Sequence, residues 1–399
     1  MRLPLIAAVT LVTALTACSG ALNSLPPAGS GIAPSRLLRS TAAELRLWPR
    51  SGPSVRVCGT VPAGFARCQA WIRTDIKDLA RPGTPYGYGP SDLQTSYGLT
   101  SYSERNGNGE TVAIVDAYHD PDAASNLATY RSVFGLAPCT ASSGCFTQKS
   151  FTTGTNVGWA QEESLDVDMV SAICSNCKIL LVEASSPSID ALTTAEVYAT
   201  SHANYVSNSW SGDEGSKSHD GYFNVRGVAI TAATGDYGYN STAQWPAILP
   251  TVIAVGGTTL SSVHPRTEAA WAGAGSGCSK IYAKPGFQSG LHTGCSYRAQ
   301  ADSSADANPD TGVAVYDTFH RPGWEVFGGT SVATPIIASV FALAGNTSTN
   351  DPGNLYAHSS SLNDVTRGSN GGCGAPLCQA GVGWDGLTGL GTPNGIGAF

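Results

Sequence analysis

Short apolar runs alternate with helical ones along most of this chain, and that alternation narrows the possible folds more than any other feature. Thr111–Ala117, Lys178–Ala184, Tyr205–Trp210, Gly227–Thr231 and Thr251–Gly256 are almost continuously apolar and bounded by turn residues, as strands buried on both faces are. Between and after them, Ala123–Phe134, Glu162–Ile173, Ser188–Ser201 and Val332–Ala344 have the character of helices. Strand and helix in repetition predict an α/β fold, a parallel sheet with helices on both faces and a crevice at the carboxyl ends of its strands. Residues 84–399 are enough for one sizeable core and are expected to form a single domain. Ser261 to Asp310, rich in Gly, Ser, Ala and Asp, shows no period and is expected to form surface excursions pinned by Cys278 and Cys295.

Residues 1–18 read as an export leader: Arg2, then an apolar run from Leu3 to Ala17 that is too short for a membrane span. The run ends in Leu15-Thr16-Ala17-Cys18, similar to a bacterial lipobox, so a lipid anchor at Cys18 is expected. Residues 19–45 then form a flexible tether, rich in Pro, Gly, Ser and Ala as far as Ser35, and 46–83 an N-terminal arm or reduced pro-region. With Cys18 set aside, the other ten of the eleven cysteines fall into neighbouring couples: 58 with 68, 139 with 145, 174 with 177, 278 with 295, and 373 with 378. Local disulfides stapling loops in an oxidising, extracytoplasmic compartment are the simple reading, with Cys174 to Cys177 closing a helix. A net charge of −7, without a basic cluster interleaved with aromatics, argues against a nucleic-acid partner. A membrane would be met only through the lipid, and a monomer is expected.

Chemistry concentrates in Gly328-Gly329-Thr330-Ser331-Val332-Ala333-Thr334-Pro335. A Gly-Thr-Ser turn entering a helix lifts one hydroxyl clear of the backbone, lets a carbonyl approach the main chain and aims amides at a developing oxyanion. A serine nucleophile needs a base, yet none of the seven histidines sits in a His-Gly-x-His type segment. On the helix spanning Trp159 to Ile173, Glu162 and Asp166 share the face of Leu165, Met169, Val170 and Ile173, while Ser164 and Asp168 point the other way. Two acids aimed into a core push one pKa upward and make a general base. An acidic face matched by Lys or Arg is disfavoured, because only Lys149 lies between Arg131 and Lys178. A third acid, Asp236 in Thr234-Gly235-Asp236, follows a strand-like run, where a protonated carboxyl can donate to an oxyanion.

Glu162-x-x-Leu165-Asp166, Ser207-Asn208-Ser209-Trp210-Ser211-Gly212, Thr234-Gly235-Asp236 and Gly329-Thr330-Ser331-x-x-x-Pro335, in this order, resemble the sedolisin family of serine-carboxyl peptidases. The resemblance runs from about Thr84 to the end of the chain. It implies a subtilisin-like fold with Ser331 as nucleophile, Glu162 as base, Asp166 as its partner and Asp236 in the oxyanion hole. It also implies that Ser209, Trp210, Ser211 and Gly212 lie along the bound peptide. Near the end it implies a calcium loop, with Asp364, Val365, Gly381, Gly383 and Asp385 giving carboxylate and main-chain oxygens to one structural Ca2+, a hard cation that takes oxygen ligands. An acid pH optimum follows, because Asp236 must stay protonated and the acid pair must hold its shared proton. Two alternatives are a subtilisin-type triad on Asp116, which lacks its histidine, and a lipid-anchored binding protein keeping the fold without turnover.

Overall fold

Successive residues of Thr111–Ala117 serve two different cores, which is why the run is apolar throughout. Val112 and Ile114 join a cluster with Leu165, Val170 and Ile336, whereas Ala113, Val115 and Ala117 join one with Leu192, Ala195 and Ala199. Each large side chain buried this way contributes about 2 kcal/mol. The computed structural model describes residues 51–76, 85–215, 217–240, 243–349 and 351–399. The leader, the tether, Cys18, the start of the arm and the boundary at Thr84 lie outside the described residues.

Three short strands open the described chain: β1 (Ser54–Arg56), β2 (Arg67–Cys68) and β3 (Trp71–Arg73), followed by helices α1 (Pro90–Ser96) and α2 (Thr100–Arg105). Then come β4 (Thr111–Ala117), α3 (Ala123–Val133), β5 (Phe146–Ser150), α4 (Val157–Ile173), β6 (Lys178–Ala184), α5 (Ile189–Thr200), β7 (Tyr205–Asn208), β8 (Trp210–Asp213) and β9 (Ala229–Ala233). Further on are β10 (Gln244–Trp245), β11 (Ile253–Ser262), β12 (Thr267–Ala270), β13 (Gly277–Ala283), β14 (Tyr297–Gln300), β15 (Ser303–Asp306), β16 (Val313–Asp317), β17 (Gly323–Gly328) and α6 (Thr330–Ala344).

The main sheet runs β12-β11-β9-β7-β4-β6-β5, with β15 also paired to β11. All of its pairings are parallel except β11 with β12. Helices α4 and α6 cover one face and α5 the other, as the alternation predicted. Ser188 caps α5 by accepting from the Ala191 amide, so the helix starts where a serine can satisfy a free N–H. Helix α6 is apolar all round, and every residue from Thr330 to Leu343 is buried, which makes it the central helix of the fold.

Two expectations are corrected. Tyr205–Trp210 is not one strand: pairing in the main sheet ends at Asn208, and β8 leaves to pair antiparallel with β10 and β2. The Trp210 indole, donating to the Val115 carbonyl at 2.9 Å, turns into the core beneath. Nor is Ser261 to Asp310 a set of surface excursions, since it holds β12 to β15 and β15 lies buried in the main sheet. Its residues Ser303-Ser304-Ala305-Asp306 are too polar to betray a buried strand, and the Ser303 hydroxyl is satisfied by the Gly391 carbonyl.

All five cysteine couples form disulfides as paired from their spacing, and Cys174 to Cys177 closes the end of α4. No helix among the described residues is long and apolar enough to cross a membrane.

Candidate active site

Ser331 stands in the first turn of α6, behind a glycine no other residue could replace. Gly329 has φ +105°, and a Cβ there would lie 2.1 Å from the Gln69 carbonyl oxygen and 2.8 Å from Asp236 Oδ2. The Ser331 hydroxyl donates to the Ser209 carbonyl at 3.0 Å and accepts from the Gln69 amide at 3.1 Å. None of the histidines hydrogen-bonds it. His119 instead pairs with Glu183 at 2.9 Å, and His219 with Asp190 at 2.7 Å.

Close packing of α4 against α6 brings Glu162 beside Ser331. Glu162 and Asp166 are fully buried with no ion pair among the described residues, and neither Glu162 oxygen has a hydrogen-bond partner. Asp166 Oδ1 accepts from the Ser209 hydroxyl at 2.9 Å, while Oδ2 is free. Burial raises the Glu162 pKa well above the usual carboxylate range, Asp166 and Asp116 reinforce the rise, and the nearby Ser331 hydroxyl opposes it. Burial likewise raises Asp166, with Asp116 adding to it and the Ser209 hydroxyl opposing. The two carboxyls titrate together, so protonation belongs to the pair.

Asp116 proves to be part of this group. It lies on the same face of β4 as Val112 and Ile114, toward α4, with both oxygens buried and unpartnered. Its own pKa is raised by burial and by Glu183, the residue opposite it on β6. Proximity to the acid pair was invisible in the sequence, because only the β4 register determines it. The opposite face of α4 is no solvent face either: Asp168 accepts from the Tyr316 amide at 3.0 Å, and Ser164 is buried near Asp120 and Asn126.

Asp236 follows β9. Its Oδ1 accepts from both the amide and the hydroxyl of Thr330 at 2.8 Å, whereas Oδ2 is buried without a partner. Burial pushes its pKa up to about 7, against the opposing pull of the Thr330 hydrogen bonds and Arg56. A rise from 3.8 to about 7 is worth about 4 kcal/mol in favour of the neutral acid.

Ser209, Trp210, Ser211 and Gly212 are all buried, and the chain's own arm lies beside them. β2 pairs antiparallel with β8, Arg67 opposite Ser211 and Cys68 opposite Trp210. Main-chain atoms of Trp210 face this strand while its indole is buried. The arm's approach to Ser331 escaped sequence reasoning, since β2 is two residues long and carries no period.

The candidate calcium residues gather at one turn. Asp364 Oδ2 accepts from the Gly383 amide at 2.9 Å, and Asp385 Oδ2 from the Gly381 amide at 3.4 Å. Nothing stands within 4 Å of a Cβ placed on Gly381 or Gly383. Two carboxylates beside an open turn are hard oxygen donors of the kind a calcium ion takes, once their contacts to the Gly381 and Gly383 amides are exchanged for it. Clusters of three or more His, Cys, Asp or Glu suited to a metal do not occur among the described residues.

Known proteins agree with this architecture. The subtilase family profile matches residues 151–361. Kumamolisin of Bacillus sp. (strain MN-32) is 29% identical across 84% of this chain and 71% of its own length. Sedolisin of Pseudomonas sp. (strain 101) is 33% identical over 39% of this chain and 29% of its own. The solved structure of Pseudomonas sedolisin, a serine-carboxyl proteinase complexed with two molecules of pseudo-iodotyrostatin, superposes with a TM-score of 0.65 at 25% identity, covering 78% of this chain and 96% of that one. A serine at the head of a buried helix, a neighbouring helix of buried acids and these likenesses lead to one conclusion: the chain belongs to the subtilase family, as a serine peptidase of the sedolisin, serine-carboxyl kind.

Proposed function

We propose that this protein hydrolyses peptide bonds in acid through an acyl-enzyme on Ser331, with Glu162 as base, Asp166 as its partner and Asp236 as oxyanion donor. One observation supports it above the rest: a buried acid pair, three of whose four oxygens lack a partner, adjoins a serine whose own amide donates to a peptide carbonyl, that of Gln69, at 3.1 Å. Glu162, in the ionised fraction of the pair, takes the Ser331 proton as the hydroxyl adds to the substrate carbonyl, and returns it to the leaving amine. Asp166, anchored by Ser209, orients Glu162 and shares its charge. The Ser331 amide and a protonated Asp236 Oδ2 then hold the oxyanion, two donors in a buried site.

Asp364 and Asp385, with main-chain oxygens of Val365, Gly381 and Gly383, would hold a Ca2+ that ties the C-terminal turn together without entering the chemistry. The reading further takes residues 1–18 as leader with Cys18 lipidated, 19–45 as tether, 46–83 as arm or pro-region and 84–399 as the peptidase, acting outside the cytoplasm as a monomer on polypeptides. Digestion of denatured protein from pH 3 to 8 by the wild type, Ser331→Ala and Glu162→Gln tests it. The wild type should act in acid and fall off above neutrality, and both variants should be inert while remaining folded. An active Ser331→Ala variant, or a profile flat into alkali, would refute it.

A further inference from the structure

Residues 65–73 run through the cleft as a peptide substrate would. The Gln69 amide donates to the Ser209 carbonyl at 3.0 Å, and the Gln69 carbonyl accepts from the Ser331 amide at 3.1 Å. Before this point the arm pairs with β8, and after it β3 pairs with β17, Ile72 opposite Phe327 and Trp71 opposite Gly328. A strand that changes partner at the nucleophile, with its carbonyl on the nucleophile's own N–H, presents the Gln69–Ala70 bond for attack.

The Gln69 side chain has a seat of its own. It is fully buried, and its Nε2 donates to the Ser211 hydroxyl at 2.8 Å and to the Arg67 carbonyl at 3.1 Å. A carbonyl only accepts, so the amide orientation is fixed. Ser211 passes the chain on, donating to Gln244 Oε1 at 3.1 Å. Gln244 is held by a reciprocal pair with Gln300: its amide donates to Gln300 Oε1 at 3.1 Å, and Gln300 Nε2 donates to its carbonyl at 3.0 Å. Gln69 Oε1 is buried without a hydrogen-bond partner, so the side chain is held through its Nε2 alone. An aliphatic side chain here would strand the acceptor of Ser211 in a dry pocket, the kind of loss by which a hydrogen-bonding site rejects an analogue.

We propose that the cleft selects glutamine on the acyl side of the bond it cuts, and that Gln69–Ala70 is one such bond, cut by Ser331 of the same molecule. The inference rests on the serine-carboxyl reading above. Ser331 Oγ adds to the Gln69 carbonyl carbon and gives its proton to Glu162. The C–N bond breaks as the Ala70 nitrogen takes that proton and becomes a new amino terminus. Water then hydrolyses the Gln69 ester to a carboxylate and restores the hydroxyl. Cys58 and Cys68 both lie on the acyl side, so their disulfide does not tether the two products. The leaving side is held up to the cut by β17 and by buried Arg73, which pairs with Asp75 at 2.8 Å and Asp310 at 3.4 Å, and must withdraw before another peptide binds.

The full chain is incubated at pH 4 beside Ser331→Ala, sequenced from its amino terminus, and then given a proteome-derived peptide library. The wild type should start at Ala70 while Ser331→Ala keeps its original terminus. Glutamine should be enriched at least about tenfold over leucine before the cut, and Gln244→Ala and Ser211→Ala should each narrow that ratio. A library cleaved without glutamine enrichment overturns the selection, and an intact Gln69–Ala70 bond overturns the self-cleavage, the peptidase reading surviving in both cases. A library left uncut, with the bond intact, overturns both readings.

Discussion

Two pairs of carboxylates, one on α4 and one at the C-terminal turn, differ in what surrounds them. Glu162 and Asp166 are fully buried, and three of their four oxygens have no partner. Asp364 is exposed, and Asp385 is buried but accepts from the amides of Leu387 and Thr388 at 3.0 Å and from the Thr388 hydroxyl at 3.1 Å. Donors pull a buried acid's pKa down, yet burial still raises Asp385 to about 7 against the hydrogen bonds from Thr388, Leu387 and Gly381. The first arrangement suits the proposed proton transfer and the second the proposed cation, so residue type alone does not tell the two kinds of carboxylate apart.

Glu162→Gln should break the first pair most severely, cutting turnover about a thousandfold or more in a peptide-hydrolysis assay, with the unfolding temperature kept or raised. More than a tenth of wild-type turnover would remove Glu162 from the reaction. Next in size, Asp236→Ala should cost about a hundredfold in kcat. Asp236→Asn, which keeps a donor at every pH, should move the loss of activity near pH 7 to higher pH. Asp116→Asn should change the rate less, by up to about tenfold. Removing one neighbouring acid lowers the Glu162 pKa, so the acid limb of the profile shifts downward. A subtilisin-type triad on Asp116 predicts abolition instead.

Stability should follow the same contrast. Asp236, Asp120 and Asp317 are each raised from 3.8 to about 7 by burial, so the native state binds more protons than the unfolded one between those values. Their stabilising effect is complete below about pH 4 and lost as pH rises through about 7. Urea midpoints should therefore fall from pH 4 to pH 8, and less steeply in Asp236→Asn; a midpoint that rises would contradict the burial of these acids. The smaller stability effect belongs to the C-terminal turn. Calcium at a hundred times its Kd should stabilise by about 2.7 kcal/mol, seen as a higher unfolding temperature that chelation reverses and Asp385→Ala abolishes.

Glu162, Asp166, Asp236 and Ser331 could be singled out because each carries a local signal: a helical face, a turn after a strand, a glycine pair before a helix. β4, β6 and the helices were legible because burial on two faces forces continuous apolar runs. Asp116, β15 and the arm carried no such signal. The position of Asp116 depends on the register between β4 and β6, β15 is polar yet paired with β11, and the role of Gln69 depends on contacts 140 and more residues away.

Taken alone, the sequence determined the layers of the fold, the disulfide couples and the acids and serine available for chemistry, since periodicity and turn residues act over a few neighbours. Only the tertiary structure decided which acids go unpartnered, that Asp116 stands near Glu162 and Asp166, and that the arm meets Ser331. Those are matters of desolvation and strand register, set by residues far apart in sequence that the packing of α4 and α6 against the sheet brings together.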